Sequence, residues 1–123
     1  MGFFKSLMSV ISTDGKTGTP FNFDANHTVY FKGDGVTKID AARVAGYLKG
    51  YGLFTETNQS DVQIFSAKAG QPVEVSFVIP RKTTTEEAEG VYRDTAEGLQ
   101  ELLDGRKVSV HLMGTDMVRL KDL

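Results

Sequence analysis

The chain has 123 residues, which suits a single hydrophobic core, since most domains hold about 100–150 residues. Hydrophobic residues make up 40% and charged residues 24% of the sequence, as in ordinary globular proteins and unlike disordered chains. Fourteen basic and sixteen acidic side chains give a net charge of -2. That balance gives no general attraction to phosphate backbones and disfavours nucleic acid as a partner.

The sequence contains no cysteine. Its absence excludes disulfides, thiolate metal sites and cysteine nucleophiles, and it fits a reducing compartment, so we expect a cytoplasmic protein. No apolar run approaches the roughly 18 residues of a membrane-spanning helix. The N-terminus also lacks a long apolar region followed by a cleavage site, so the sequence gives no indication of export.

The first twelve residues predict a short amphipathic helix, because apolar side chains recur at helical spacing. These side chains are Phe3, Phe4, Leu7, Met8 and Ile11. Residues 13–20 have the composition of a flexible linker. Phe21 and Phe23 then predict a short extended or irregular piece that pins the linker to the domain. We therefore divide the chain into residues 1–24, the helix and linker, and residues 25–123, the domain.

The domain begins with a predicted strand over residues 28–32, where apolar and polar side chains alternate. After a glycine-rich turn, Thr37 and Asp40 form a variant capping box that opens a helix. We expect that helix to end at Gly50 and Gly52, because glycine readily adopts the left-handed conformation at a helix C-terminus. Its predicted buried stripe comprises Ile39, Ala42, Val44, Ala45 and Leu48.

Two more strands are predicted at residues 62–67 and 73–79, joined by a hairpin-like connection. A second helix follows, with Glu86, Glu87 and Glu89 near its positive end. A fourth strand covers residues 108–112, and residues 117–123 predict a short edge strand. The second helix is expected to bury Ala88, Val91, Tyr92, Thr95, Leu99, Leu102 and Leu103.

The predicted element order, β-α-β-β-α-β, resembles that of the ferredoxin-like, or split βαβ, arrangement. The resemblance lies in element order alone. It implies a two-layer α+β sandwich in which a four-stranded antiparallel sheet has the strand order four, one, three, two. Both helices would cover one face of this sheet and leave the opposite face open.

Several chemistries are disfavoured by the residues present. The segment Asp14-Gly15-Lys16-Thr17 resembles the end of a phosphate-binding P-loop, but Val10 stands where the first glycine of that motif is needed, and no helix follows the segment. With only two histidines, a metal site has few ligands, and we expect neither metal nor cofactor. By strand parity His27 faces inward and His111 outward, which predicts no Ser-His-Asp relay.

The open face of the predicted sheet is the first candidate surface. By parity it carries apolar and aromatic side chains among polar ones, a composition that favours a protein interface. With the N-terminal helix it predicts a partner-binding surface formed by Phe3, Phe4, Leu7, Tyr30, Phe65, Val78, His111 and Met113. RNA binding is disfavoured, because the third strand offers no aromatic side chain for base stacking.

The second candidate surface is the end of the sheet where three loops meet. Backbone amides and basic side chains there would suit a phosphate or a carboxylate, although solvated lysines on loops are the alternative explanation. The residues of this alternative ligand site are Gly33, Gly35, Thr37, Lys38, Lys68, Arg106 and Lys107.

The sequence therefore favours a non-catalytic binding or assembly module, expected to be a homodimer or to bind another protein. The alternative is a small enzyme or a domain that binds an anionic ligand at the basic loop edge. The N-terminal segment matches a loose myristoylation pattern, but a single lysine adds little attraction to anionic lipid, so a membrane is a disfavoured partner. The identity of the partner or ligand does not follow from the residues.

Overall fold

A computed structural model of the chain describes residues 18–53, 60–79, 85–116 and 118–123. Six strands and three helices lie within these ranges. The strands are β1 (Thr19–Asp24), β2 (His27–Lys32), β3 (Ser60–Phe65), β4 (Val73–Val78), β5 (Val108–Met113) and β6 (Arg119–Asp122). The helices are α1 (Lys38–Tyr51), α2 (Thr85–Tyr92) and α3 (Thr95–Leu102).

All six strands form one mixed sheet in the order β1-β2-β3-β4-β5-β6. The pairs β2-β3 and β4-β5 are parallel, whereas β1-β2, β3-β4 and β5-β6 are antiparallel. The predicted four-stranded antiparallel ferredoxin-like sheet is therefore wrong. The predicted edge strand at the C-terminal end is confirmed as β6.

The correction has a physical reason at the first hairpin. Residues 19–24 form β1 and pair with one edge of β2, whereas residues 13–20 were predicted to be a linker and Phe21 and Phe23 a short extended or irregular piece outside the domain. The other edge of β2 takes β3 in parallel, so neither edge is left for β5. In the ferredoxin-like order the equivalent of β2 would lie between the equivalents of β5 and β4. Alternation of side chains sets which face each residue occupies, but it carries no information about which strand is the neighbour.

One face of the sheet packs on the helices and holds the core. Val62 and Ile64 of β3 lie in register with Phe77 and Val75 of β4, and all four side chains are buried. The inward parity predicted for β4 is thus confirmed. The same cluster includes Val29, Val73, Ile79, Val110 and Leu112 from the sheet and Val44, Leu48, Leu99 and Leu103 from the helical side.

Helix α1 begins as predicted, with both hydrogen bonds of the capping box between Thr37 and Asp40. Its buried stripe differs from the prediction. Ala41, Val44, Ala45 and Leu48 are buried, whereas Ile39 is 67% exposed and Ala42 is also exposed. The predicted second helix is divided into α2 and α3, and the Thr95 hydroxyl donates to the Tyr92 carbonyl at 2.7 Å where the chain turns.

The two helical connections lie on one face although β2 and β4 run in opposite directions. Both connections advance by one strand in the same direction across the sheet. Their crossovers must therefore have opposite hands, and one of them departs from the usual right-handed rule. Sequence patterning does not anticipate this departure.

No helix among the residues that the structure describes is long and apolar enough to cross a membrane.

The predictions for the N-terminal segment lie outside the described residues. They include the amphipathic helix with Phe3, Phe4 and Leu7, and the P-loop-like segment at residues 14–17. The described chain begins at Gly18, beside Phe31 and Lys32 of β2. Phe21 and Phe23 of β1 pack against the core cluster as partly buried side chains.

Candidate functional site

The face of the sheet opposite the helices, called the open face below, is organised by a row of polar side chains. Tyr30, Gln63, Ser76, His111 and Asp122 are successive register partners on β2, β3, β4, β5 and β6. Because partners in neighbouring strands project to the same side, the row crosses the face perpendicular to the strands, from β2 to β6. We call these five residues the central row.

The middle of the central row is buried even though the described helices lie on the opposite face. Ser76 is 3% exposed and His111 is 7% exposed. Of the predicted partner-binding residues, Tyr30, Phe65 and Val78 remain partly exposed on the open face. The two others within the described ranges, His111 and Met113, are on this face but buried.

His111 is the centre of a hydrogen-bonded group on β5 and β6. Its Nδ1 lies 2.6 Å from Oδ1 of Asp122, and its Nε2 lies 3.0 Å from Oγ of Ser109. An ionised carboxylate can only accept, so Nδ1 donates to Asp122. In the corresponding tautomer of a neutral imidazole, Nε2 is an acceptor to which the Ser109 hydroxyl can donate. This contact with His111 holds the pKa of Asp122 below its ordinary value.

Arg119 completes the group by bridging two carboxylates. Its guanidinium pairs with Glu74 of β4 and lies 3.5 Å from Oδ1 of Asp122. Glu74 Oε1 is also 3.7 Å from Nε2 of His111. We call Glu74, Ser109, His111, Arg119 and Asp122 the His111 network. Its contacts join the edge strand β6 to β4 and β5 on the open face.

The network overturns the prediction that no nucleophile and base meet in this chain. Ser109, His111 and Asp122 form a linear hydroxyl-imidazole-carboxylate relay. The prediction failed because it compared the two histidines with each other and not with their neighbours. Positions 109 and 111 are two residues apart on one strand, so the sequence already placed both side chains on one face. The pairing of Asp122 with His111 depends on the β5-β6 register, which the sequence does not give.

The second histidine belongs to a local turn. Nδ1 of His27 lies 2.7 Å from Oδ1 of Asp24, three residues earlier, where the chain passes from β1 to β2. The backbone N–H of Asn26 donates to the same carboxylate at 2.8 Å. The hydrogen bond from His27 is the main cause that lowers the pKa of Asp24. His27 is buried on the helix-covered side, as predicted from its parity with Val29.

Asp61 is the carboxylate of the open face that has no salt-bridge partner among the residues that the structure describes. It is half-buried, and burial raises its pKa above the ordinary value. Its charge in turn contributes to a raised pKa of Tyr30, although burial is the larger cause. Lys32 occupies the other end of β2, and its Nζ lies 6.0 Å from the centre of the Phe65 ring.

The predicted ligand site surrounds an open depression of about 700 Å³ near the start of α1. Of the seven proposed ligand residues, Gly35, Thr37 and Arg106 line it, whereas Gly33, Lys38, Lys68 and Lys107 do not. Its lining also includes Asp34, Asp40 and Asp104, with Arg43 3.8 Å from Asp104. Three carboxylates and two guanidinium groups do not favour an anion.

Two of the polar groups expected to bind that ligand, the Arg106 guanidinium and the Thr37 backbone N–H, form hydrogen bonds within the protein. Arg106 donates to the carbonyls of Gly35 and Gln71 and to the hydroxyl of Ser66, at 2.7–2.9 Å. The backbone N–H of Thr37 donates to Asp40 in the capping box. A Cβ at position 33 would lie 2.1 Å from the Ser66 carbonyl oxygen, which explains that glycine by close packing. These residues therefore have structural roles at the loop end of the sheet.

Comparison with known proteins identifies no relative: no protein-family model, curated protein or solved structure matches the chain. Groups of three or more side chains suited to a metal ion are also absent from the described part of the chain. The open face, with the central row and the His111 network, is therefore the candidate site on the geometry of its own residues.

Proposed function

We propose that this chain is a binding or assembly module that acts through its open face, and that its partner is a second copy of the same chain. The observation that carries the proposal is the exposure of Tyr30, Phe65 and Val78 on a sheet face opposite the helices. Partly exposed aromatic and aliphatic side chains around a polar centre are typical of protein interfaces. An isologous dimer is the commonest assembly for such a surface.

The two edges of the sheet favour the face over the edges as the contact. β1 carries Pro20, which has no N–H to offer an added strand, and its pairing with β2 is irregular between Asn22 and Asp24. β6 has four exposed residues, and the β5-β6 pairing shifts at Met113. Prolines, bulges and charged short strands are common devices against edge-to-edge association.

The charges of the open face support a second copy as the partner. Asp61 is half-buried and forms no salt bridge with a residue that the structure describes, and Lys32 lies on the neighbouring strand at the opposite end of the face. A two-fold axis that crosses the strands along the central row exchanges the two ends of the face. Lys32 of each copy would then approach the end of the other copy where Thr28 and Asp61 are register partners. Such a pair would satisfy a carboxylate that burial disfavours.

Light scattering of the full chain over a range of concentrations tests the assembly. We expect the mass to approach twice the chain mass as concentration rises, and a monomer at every concentration would contradict the proposal. Lys32→Glu and Asp61→Lys should each weaken self-association, and an equimolar mixture of the two variants should recover it. Lys107→Glu, at an exposed lysine outside the proposed contact, is the matched control and should assemble as the original chain does.

The charge-swap experiment tests the Lys32–Asp61 pairing separately from the use of the open face. Assembly that survives both single variants would contradict that pairing but not the contact through the open face. A reducing compartment such as the cytoplasm suits the proposal, because the cysteine-free sequence needs no oxidising environment.

A further inference from the structure

The His111 network contains a group whose chemistry goes beyond assembly. We propose that Ser109 is an activated nucleophile that takes an acyl group from small activated carboxylic esters, with His111 as its base and Asp122 as the residue that positions the imidazole. The inference does not depend on self-association, because its test uses dilute protein.

The atoms of the relay are connected in the order that nucleophilic catalysis requires. Oγ of Ser109 is 3.0 Å from Nε2 of His111, and the opposite ring nitrogen is 2.6 Å from the Asp122 carboxylate. Both distances lie within the hydrogen-bond reach that defines a nucleophile, its base and an orienting group. The bond to Asp122 fixes the tautomer that leaves Nε2 free to accept a proton.

The surroundings favour the charge that appears when the proton moves. His111 is 7% exposed, and on transfer it becomes an imidazolium between Asp122 and Glu74, whose Oε1 lies 3.7 Å from Nε2. Arg119 pairs with Glu74 and so keeps that carboxylate from acting as an uncompensated charge beside the neutral ring. Ser109 itself is only partly buried.

The acylation step balances without any oxidant or reductant. The O–H bond of Ser109 breaks and its proton passes to Nε2 of His111, while Oγ forms a bond to the carbonyl carbon of the ester. The bond from that carbon to the leaving oxygen then breaks, and the leaving group departs with the electron pair. His111 gives its proton to the leaving group or to solvent water, and the acyl group stays on Ser109 as an ester.

The substrate class follows from what the relay supplies. It provides a base and an oriented nucleophile, whereas stabilisation of a developing oxyanion is a separate contribution in acyl transfer. Acyl donors whose leaving groups are stable anions depend least on that contribution. Nitrophenyl esters and other small activated esters are therefore the expected donors, and unactivated amides are not.

The test incubates dilute full-length protein with 4-nitrophenyl acetate. The release of nitrophenolate is followed, and the acetylated residue is located by mass spectrometry of peptides. We expect an acetyl group on Ser109 that Ser109→Ala removes. His111→Gln should slow acetylation by roughly 100-fold, in line with the usual contribution of a general base. Thr115→Ala, at an exposed hydroxyl in the turn before β6, should leave the rate unchanged.

Three results would overturn the inference. They are acetylation confined to lysines or the N-terminal amine, acetylation of Ser109 at an equal rate in His111→Gln, and no acetylation at any hydroxyl. If His111→Gln lowers the thermal stability, Asp122→Asn provides the second measurement, because it keeps the imidazole and removes the negative charge of the group that accepts from it. If the rate of Ser109 acetylation is the same in Asp122→Asn as in the original chain, this result also contradicts the relay.

Discussion

The two faces of this sheet use the same strands for different purposes. On the covered face, β3 and β4 bring Val62, Ile64, Val75 and Phe77 into a continuous apolar core. On the open face the intervening residues of the same strands, such as Gln63 and Ser76, form a polar row. Alternate residues of the same strands therefore have different roles: one set forms the apolar core, and the other forms a polar row beside the partly exposed side chains of Tyr30, Phe65 and Val78.

The two histidines show the same division. His27 pairs with an aspartate three residues away in a turn, so its hydrogen bond stabilises local structure at the end of β1. His111 pairs with an aspartate on another strand and also contacts a serine, so its hydrogen bonds connect separate elements. Similar imidazole-carboxylate pairs thus stabilise a turn in one place and connect two strands in the other.

Truncation of matched phenylalanines gives the largest expected contrast between the faces. Phe77→Ala removes a buried ring whose centre is 4.2 Å from that of Tyr92, and it should lower the free energy of unfolding by about 3–5 kcal/mol. Phe65→Ala, on the open face, should cost only about 1 kcal/mol, since its ring is partly exposed. Urea denaturation of both variants measures the difference. Equal losses would contradict the separation of the faces.

Replacement of two aspartates on the open face should shift stability in opposite directions. Asp122→Asn removes the carboxylate that accepts from His111 and should lower the melting temperature at neutral pH. Asp61→Asn removes a half-buried charge and should raise it slightly, because burial disfavours the ionised form and raises its pKa. Calorimetry of dilute samples provides the comparison. A fall in both variants would show that Asp61 already has a stabilising partner.

Acid should reduce stability to a small extent through both histidine pairs. Asp24 and Asp122 have pKa values below their ordinary value of 3.8, chiefly because His27 and His111 hydrogen-bond to them. Over that range the unfolded chain binds more protons than the folded one, so stability is present above pH 3.8 and is lost as pH falls through the lowered values. Denaturation midpoints between about pH 7 and pH 2 should fall accordingly. Asp122→Asn should fall less steeply than the original chain, and identical profiles would contradict the role of the His111 pair.

The sequence was sufficient for the local features of the fold. Alternation in Val73, Val75, Phe77 and Ile79 identified a strand and its buried face, and Thr37 with Asp40 identified the start of α1. Local patterns suffice here because each signal is contained within a few residues. They located β1 only in part: Phe21 and Phe23 indicated a short extended or irregular piece, but Thr19 and Pro20 fell within the predicted linker and no partner strand was indicated.

The arrangement of the strands required non-local information. The parallel pairs β2-β3 and β4-β5 depend on the β1-β2 hairpin, which takes one edge of β2. The Ser109–His111 contact of the relay could be predicted from the sequence, since residues two apart on a strand lie on the same face. Asp122 joins them only through the register of β6, and the four hydrogen bonds of Arg106 likewise join loops far apart in the sequence.

We propose that this chain acts through its open face. The most direct test is an NMR titration of protein concentration, in which the backbone and side-chain signals of each residue are followed. We predict concentration-dependent shifts at Tyr30, Gln63, Phe65 and Val78, with little change along the exposed side of α1. Shifts confined to the helical side, or spectra unchanged at every concentration, would contradict the claim.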